Sequence, residues 1–457
     1  MKIGIISINA HTKVLNFASP LHTYAFQQFL FKHNIDSTII DYKPIYYNDA
    51  DVRHPLFDTV DRPLENKRLQ DRKLKKWRIL FYDREYRFDR FEEFLDKYYV
   101  NTDVCYDQES LDEVDPGFDC YLCVTDVIWK WNPGYGFDRG YFLACKCMEG
   151  KKKIAYSASR GAKGYTRDQE KEFLRYIGDF DFLSAREKSL QQYIKEAAGL
   201  DVPHILDPVF LHEKDFYYDL AIEPEETEPF ILLYIVMEMA NELIRLTSEF
   251  ALEKGMKIIL LSENWDDADK IPEEIPHRYI YAMGIEEWMG YMKNASYIFT
   301  NSFHACCFSI IFHKQFFAGA RSGDKIDSVL DMFNMTWRRI SLEENGKAAD
   351  MKDIDFTEAD RIRHQGVEFS SNYILNAIEE VSKREHRPLI EDIDAFLEEW
   401  EEGRGKELAR LEEEAALQAM REEEEKKARI EAEKLAKKRA VPFHRRVKNK
   451  IKRMIKA

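Results

Sequence analysis

Along most of this chain, hydrophobic runs typical of strands alternate with segments in which hydrophobic residues recur at helical spacing. Short runs of β-branched and aromatic residues, typical of strands buried on both faces, precede longer segments with apolar residues at helical spacing. In the first half the strand-like runs are Lys2–Ser7, Ile35–Asp41, Cys120–Val124, Lys153–Ser157, a run that begins at Asp181, and His204–Phe210. In the second half they are Phe230–Val236, Met256–Leu261, Tyr297–Thr300 and Gln315–Ala320.

The helical segments lie between these strands. They include His22–Lys32, Lys188–Ala198, Ala240–Lys254 and Ile285–Asn294. This alternation predicts an α/β fold with two doubly wound, Rossmann-like domains facing a cleft. An acidic joint at 222–229 separates them, so we expect domains at 1–222 and 229–345, with closing helices at 346–388.

A mostly helical stretch at about 53–100 interrupts the first domain. Its apolar stripe predicts an insertion that covers the sheet or forms a lid, and contains Phe88, Phe91, Phe94 and Leu95. No G-x-G-x-x-G follows the first strand, so the dinucleotide fingerprint is absent.

The end of the chain, 389–457, has a different composition. Residues 389–438 are rich in Glu, Lys, Arg and Ala without a sustained heptad, which predicts a solvated helix or a weak coiled coil. The last 21 residues hold ten Lys/Arg and no acid, so the chain's net charge of −15 leaves −25 for the rest. The basic segment carries an apolar stripe of Phe443, Val447, Ile451, Met454 and Ile455.

This basic amphipathic end predicts docking on an anionic membrane surface. The alternatives are a disordered solubilising tail and non-specific nucleic-acid contact. We expect no nucleic-acid partner, because no other basic, aromatic-rich patch supports one. No run of 18 apolar residues occurs, and Met1–Asn9 reads as a strand rather than a signal peptide. The expected location is therefore cytoplasmic, peripheral at the inner face of the membrane; no oligomeric state follows from the sequence.

The cysteines predict neither a metal nor a disulfide. There are seven, and the two close pairs are Cys120/Cys123 and Cys306/Cys307. The first pair lies on a strand, where residues three apart leave opposite faces, and the second pair diverges on a helix. We therefore expect buried free thiols.

Candidate chemistry lies where strands end. Tyr297–Thr300 turns directly into a helix with Asn301, Ser302 and His304 at its start. Free N–H groups at a helix N-terminus bind anions, and an imidazole there could exchange a proton with one. The alternative for His304 is a half-buried helix histidine without a function.

Two more strand ends carry charged residues. Thr125 and Asp126 follow Cys120–Val124, either as part of a ligand-facing loop or as a helix cap. Arg186 and Glu187 follow the strand near Asp181, where Arg186 could bind a carboxylate or phosphate with Glu187 orienting it, or form an ordinary ion pair. Because ligands bind at the carboxyl ends of parallel strands, these residues and His304 are expected to face the cleft.

Five short segments of the chain form a recognisable series: Asn16–Gln27, Val124–Lys130, Ser184–Glu187, Leu206–Pro208 and Thr300–Phe312. In this order they resemble five sequence blocks of the polysaccharide pyruvyl transferase family, and the resemblance extends over about Ile3 to Arg339. The family's blocks are Asn-Tyr-Gly-Ala-x-Leu-Gln-x-Tyr-Ala-Leu-Gln, Gly-Ser-Asp-Gln-Val-Trp-Asn, Ser-x-Arg-Glu, Leu-Asp-Pro and Thr-Asn/Asp-Ser-Phe-His-Gly-x-x-Phe-Ser-Ile-Ile-Phe.

The resemblance implies a fold like that of B-type glycosyltransferases and transfer of the pyruvyl group of phosphoenolpyruvate to a sugar as a ketal. It implies His304 as proton donor or phosphate ligand, Arg186 as the group that binds carboxylate or phosphate, and Asp126 as the group that orients or deprotonates the acceptor. Phosphoenolpyruvate is then the donor substrate, a glycan the acceptor, and no cofactor or metal is needed. The implied substrate-binding residues are Asn16, Thr125, Glu187, Asn301, Ser302, Arg321 and Lys325.

Several residues depart from the family's pattern. Ala305 replaces the Gly after the histidine, Val124 replaces the Gly of the second block, and His22 replaces a Gln. Ala18 and Ser19 replace the first block's Gly-Ala, and Ser302 stands where some relatives have Arg, a contact that Arg321 or Lys325 could supply. The alternatives are therefore a nucleotide-sugar glycosyltransferase of the same fold type and a non-catalytic glycan-assembly protein.

Overall fold

The computed structural model describes residues 1–8, 11–12, 14–48, 50–161, 164–236, 241–319, 324–341, 348 and 352–404, with 406, 410 and 454 as isolated residues. The chain divides into two compact units, Met1–Glu391 and Asp392–Ala457. Both predicted α/β halves lie in the first unit, so the candidate chemistry belongs to one compact body.

The first sheet of this unit is parallel throughout. Its strands are β1 (Ile3–Ser7), β2 (Ser37–Ile39), β3 (Cys120–Val124), β4 (Lys152–Ala158) and β5 (Phe182–Ala185). Their order across the sheet is β2-β1-β3-β4-β5. Ser7 pairs with Val124, so the carboxyl ends of β1 and β3 are level. That edge carries the loops to His11 and Asp126.

The second sheet is also parallel. Its strands are β6 (Phe230–Ile235), β7 (Lys257–Ser262), β8 (His277–Tyr279), β9 (Tyr297–Thr300), β10 (Gln315–Gly319) and β11 (Arg339–Ile340). They lie in the order β11-β10-β9-β6-β7-β8. Thr300 lies opposite Tyr234 and Ala318, so β9 ends at the centre of the sheet's carboxyl edge. Two parallel sheets with alternating helices confirm the predicted fold class.

Helices cover both sheets. In the first half they are α1 (Ala18–Lys32), α2 (Pro55–Asp61), α3 (Lys67–Ile79), α4 (Phe81–Tyr98), α5 (Ser110–Glu113), α6 (Arg167–Gly178), α7 (Lys188–Ala198) and α8 (Lys214–Tyr218). In the second half they are α9 (Asn241–Lys254), α10 (Ile285–Asn294), α11 (Phe303–Ile311), α12 (Lys325–Met332) and α13 (Thr357–Ser382). The predicted insertion corresponds to α2–α4, and Phe91, Phe94 and Leu95 of α4 are buried in the core.

Contacts between the halves are aromatic and ionic. Phe17, just before α1, stacks on Trp288 of α10 with ring centroids 5.7 Å apart. Arg87 of α4 lies 3.0 Å from Glu263, which follows β7. Stacked rings and a buried ion pair resist separation of the two sheets and define the walls of the space between their carboxyl ends.

Two sequence predictions were wrong in detail. The segment His204–Phe210 is not a strand: only His204 bridges to β5, and Pro208–Leu211 forms a 3₁₀-helix. Proline's fixed φ suits the first helical position, and Asp207 Oδ1 accepts the N–H of Val209 at 3.2 Å, so the chain turns. The cysteines are all free, but Cys105 is exposed and Cys147 half-buried, whereas the other five are buried.

The second unit is helical over residues 393–404. Apart from a few isolated residues, the remainder of the predicted charged tail and its basic amphipathic end lie outside the described residues. In the part of the chain that the structure describes, every helix is too short or too polar to span a bilayer.

Candidate active site

The turn after β3 adopts an unusual backbone conformation. Thr125 and Asp126 have φ values of 37° and 57°, in the left-handed region that non-glycine residues rarely occupy. The Thr125 N–H donates to the Tyr156 carbonyl at 2.9 Å, and the Ser159 N–H donates to the Asp126 carbonyl at 3.0 Å. Strain retained by such contacts is typical of functional sites, and here it turns Asp126 into the space between the sheets.

Asp207 is the centre of a buried cluster of charged side chains. Its Oδ2 accepts the Thr125 hydroxyl at 2.8 Å and lies 3.3 Å from Nη1 of Arg186 and 3.5 Å from Nε2 of His304. Burial alone would raise the pKa of Asp207, but the contact with His304 and the charge of Arg186 outweigh burial and hold it well below its usual range. Asp207 therefore stays ionised and links both halves of the site.

Arg186 is engaged by three carboxylates. Its Nε donates to Glu187 at 2.9 Å, Nη1 to Asp207 at 3.3 Å and Nη2 to Asp126 at 3.4 Å. Its guanidinium also lies over the Phe303 ring, 4.4 Å from the centroid. Burial would lower the pKa of Arg186, yet the three acids raise it above its ordinary value. Because three acids already engage its guanidinium, Arg186 positions those acids and does not bind a ligand directly.

Asp126 has a second cationic neighbour. Its Oδ1 lies 3.7 Å from Nζ of Lys325, the first residue of α12. Burial would raise the pKa of Asp126, but Lys325 and Arg186 together lower it far below its ordinary value. Asp126 is therefore a permanent anion that connects the buried cluster with the lysine.

His304 lies in the first turn of α11, which Ser302 caps by accepting the Ala305 N–H at 3.4 Å. Its ring stacks on His22 of α1 at 5.5 Å between centroids. Within the described residues, Nε2 of His22 is buried without a hydrogen-bond partner, whereas Nε2 of His304 has the 3.5 Å contact with Asp207 Oδ2. Burial, with a smaller contribution from His304, lowers the pKa of His22 to about 4, so His22 is neutral at pH 7.

A cavity of about 340 Å³ opens in front of this cluster. Five of the predicted site residues line it: Asn16, Asp126, Ser302, His304 and Lys325. The other predicted site residues in the described part of the chain lie behind the cavity wall. Thr125, Arg186 and Glu187 support the acids, and Asn301 Oδ1 accepts the Val236 N–H at 2.8 Å. Arg321 lies outside the described residues.

Three residues of the site were not among the predicted site residues. Asp207 had a signal in its Leu-Asp-Pro block, and His22 in its departure from the family's Gln. Asp138 had no signal in the sequence. It lines the cavity and accepts hydrogen bonds from the Tyr42 hydroxyl and, at 3.0 Å, from the Gly140 N–H. Burial raises the pKa of Asp138 to about 6, a value suited to accepting a proton near neutral pH.

Ala305, which replaces the family's Gly, packs into the apolar core and is fully buried. Elsewhere in the described part of the chain, one group of side chains has the spacing of metal ligands. It consists of His11, Asp41 and Cys105.

Comparison with solved structures gives relatives of low identity. S. aureus MnaA, in a co-structure with UDP, is 12% identical and covers 84% of this chain and 97% of its own, with a TM-score of 0.46. A putative UDP-N-acetylglucosamine 2-epimerase from Listeria monocytogenes is 11% identical, covers 85% and 98%, and has a TM-score of 0.47. A glycosyltransferase from Rickettsia africae is 10% identical, covers 88% and 98%, and has a TM-score of 0.42.

A search of curated proteins gives no match. The family model for polysaccharide pyruvyl transferase matches residues 21–322, which include β3, β5, β9 and α11 with their site residues. That match spans about two thirds of the sequence. The chain belongs to the polysaccharide pyruvyl transferase family, a family of transferases.

Proposed function

We propose that this protein transfers the pyruvyl group of phosphoenolpyruvate to a sugar of a cell-surface polysaccharide or its lipid-linked precursor, forming a cyclic ketal. One observation carries the proposal: His304, at the start of α11, and Lys325, at the start of α12, line one cavity in front of buried acids. A proton donor and a cation beside a helix N-terminus suit a donor with one phosphate and one carboxylate.

Donor binding uses the positive side of the cavity. The first N–H groups of α11 and the ammonium of Lys325 bind the phosphate and carboxylate of the donor. Arg186 contributes indirectly, because it holds Asp126 and Asp207 in place from behind the wall. The bound donor then lies next to the His304 imidazole, which this proposal assigns as the proton donor.

The proposed reaction starts with the enol ether. Protonated His304 gives its proton to the methylene carbon, which becomes a methyl group and leaves an oxocarbenium-like carbon. A sugar hydroxyl attacks that carbon, and a second hydroxyl then displaces phosphate. The proton of the first hydroxyl passes to a base and returns from it, through solvent, to His304, and the proton of the second hydroxyl leaves with the phosphate.

The acceptor hydroxyl needs a base and an orienting group. Asp138, with a pKa raised to about 6 by burial, accepts the proton. Asp126 has its pKa lowered and is therefore the weaker base, so we assign it to orienting the acceptor. The tyrosines of the cavity wall, including Tyr46, Tyr47 and Tyr141, give flat surfaces on which a sugar ring can pack.

The charge pattern of the sequence supports a peripheral location. The ten Lys/Arg of the last 21 residues, with an apolar stripe among them, would dock a cytoplasmic enzyme on the anionic inner face of a membrane. That surface presents lipid-linked glycan precursors, the acceptors that this proposal requires.

The test is phosphate release from phosphoenolpyruvate with a panel of glycosides, with the product's pyruvyl ketal identified by mass spectrometry. Wild type should turn over, and His304→Ala should lose about two to four orders of magnitude of rate. The matched control is His313→Ala, whose exposed imidazole pairs with Asp360 at 2.8 Å outside the cavity, and it should retain activity. Transfer from a uridine or guanosine diphosphate sugar in place of phosphoenolpyruvate would identify a glycosyltransferase and refute the proposal.

A further inference from the structure

Three chemically different side chains meet at the edge of the first sheet. His11 follows β1, Asp41 follows β2, and Cys105 comes from the segment before β3. Nε2 of His11 lies 2.6 Å from Oδ1 of Asp41 and 3.8 Å from Sγ of Cys105. All three ligand atoms lie within 4.8 Å of one another. We call these residues the HDC cluster.

The main chain fixes two of the three residues side by side. The Asp41 N–H donates to Thr102 Oγ1 at 3.0 Å, and the Tyr106 N–H donates to the Asp41 carbonyl at 2.7 Å. Tyr42 and Tyr106 form a parallel bridge, so the chain at 101–106 continues the sheet beyond β2. Backbone pairing and the Thr102 hydroxyl thus position Asp41 and Cys105 next to each other.

We propose that the HDC cluster binds a zinc-type divalent cation. Thiolate, imidazole and carboxylate are the donors that zinc takes in proteins, whereas calcium and magnesium prefer oxygen alone. Tetrahedral zinc with bonds of about 2.0–2.3 Å separates its ligand atoms by about 3.3–3.7 Å. The sulfur–nitrogen distance of 3.8 Å is just above that range. The cation replaces the 2.6 Å hydrogen bond between His11 and Asp41, which opens by less than an ångström.

Three protein ligands leave a fourth position open. The side chains of His11 and Asp41 are 23% and 24% exposed, and Cys105 is exposed, so water or an anionic ligand can reach that position. Sites with three protein ligands and one open position are those in which zinc meets small molecules.

The cluster also adjoins the cavity. Thr12, next to His11 in sequence, lines the cavity, as do Val14, Leu15 and Asn16. A cation bound by His11, Asp41 and Cys105 therefore connects this part of the cavity wall with the edge of the first sheet. This consequence does not depend on which donor the cavity binds.

Cobalt(II) substitution tests the site directly, because a cobalt–thiolate bond gives an intense near-ultraviolet absorption and tetrahedral cobalt gives visible bands. The full chain, stripped with chelator and kept reduced, is titrated with cobalt and then competed with zinc. Wild type should bind one equivalent with both features, and zinc should remove them.

Cys105→Ala should lose the thiolate band, and Asp41→Asn should weaken binding by more than about tenfold. Cys147→Ala is the matched control, since it removes the other thiol that is not buried. It should leave both features unchanged, and far-ultraviolet circular dichroism of each variant verifies folding. No thiolate band in wild type, or a band that survives Cys105→Ala, would overturn the assignment to a metal site and leave an ordinary His–Asp ion pair. Neither outcome depends on phosphoenolpyruvate binding.

Discussion

Replacing His22 with glutamine should make the protein less sensitive to acid. His22 is fully buried in α1, its Nδ1 is 3.2 Å from Thr23 Oγ1, and its ring stacks on His304. Burial, followed by the neighbouring His304, lowers its pKa from 6.5 to about 4. The family's first block carries Gln at this position, so His22→Gln restores an uncharged side chain of similar length.

The sign of the effect follows from proton binding. Between the two pKa values the unfolded chain binds a proton at His22 and the folded chain does not, so stability falls as pH decreases from 6.5 towards 4. At about pH 5 nearly all unfolded molecules and only about a tenth of folded ones carry that proton. The free energy of unfolding should therefore drop by about 2 kcal/mol from this group alone between about pH 7.5 and pH 5.

Urea denaturation at both pH values measures the difference. The drop in unfolding free energy should be about 2 kcal/mol smaller in His22→Gln than in wild type. His212→Gln is a positive control, because burial also lowers the pKa of His212 to about 4 and its Nε2 contacts the Ala25 carbonyl at 2.7 Å, outside the cavity. If His212→Gln reduces the drop and His22→Gln does not, the reasoning about His22 is wrong.

Three further variants test the assigned roles. Lys325→Met should weaken binding of phosphoenolpyruvate by about 10- to 100-fold, seen as a raised KM, because it removes a charged contact with the donor. The control Lys188→Met, at an exposed position, should leave the KM unchanged. Asp138→Asn should lower kcat and abolish the rise in rate through about pH 6, since that rise reports loss of the Asp138 proton; an unchanged pH–rate profile would exclude Asp138 as the base. Arg186→Met should cost about 3–5 kcal/mol of unfolding free energy in urea, because three buried carboxylates lose their partner; a variant as stable as wild type would contradict the supporting role.

Much of the fold was predictable because strands of a parallel sheet, buried on both faces, leave clear apolar runs. α7 was predicted with its observed ends, and β6, β9 and β10 within one residue. α1 begins four residues earlier than predicted, at Ala18, whose N–H donates to Asn16 Oδ1 at 3.2 Å in the turn before the helix. The segment around Asp207 was assigned wrongly because a short apolar run before proline can be a strand or a turn.

The site was predictable only where it lies at a strand end. The turns after β3, β5 and β9 were read from sequence, and they supply Asp126, Arg186 and His304. The sequence could not show that Arg186 is occupied by three acids while Lys325 lines the cavity, because that follows from side-chain packing. The HDC cluster is likewise invisible to spacing rules, since its three residues come from segments about 30 and 64 positions apart that the sheet brings together.

Binding of phosphoenolpyruvate, followed by thermal melting of the wild type and His304→Ala, tests the central claim most directly. At a hundred times its dissociation constant the ligand should stabilise wild type by about 2.7 kcal/mol. We predict that His304→Ala and Lys325→Met lose about half or more of this stabilisation and His313→Ala keeps it. A well-folded wild type that is not stabilised by phosphoenolpyruvate, but is stabilised by a nucleotide sugar, would contradict the account.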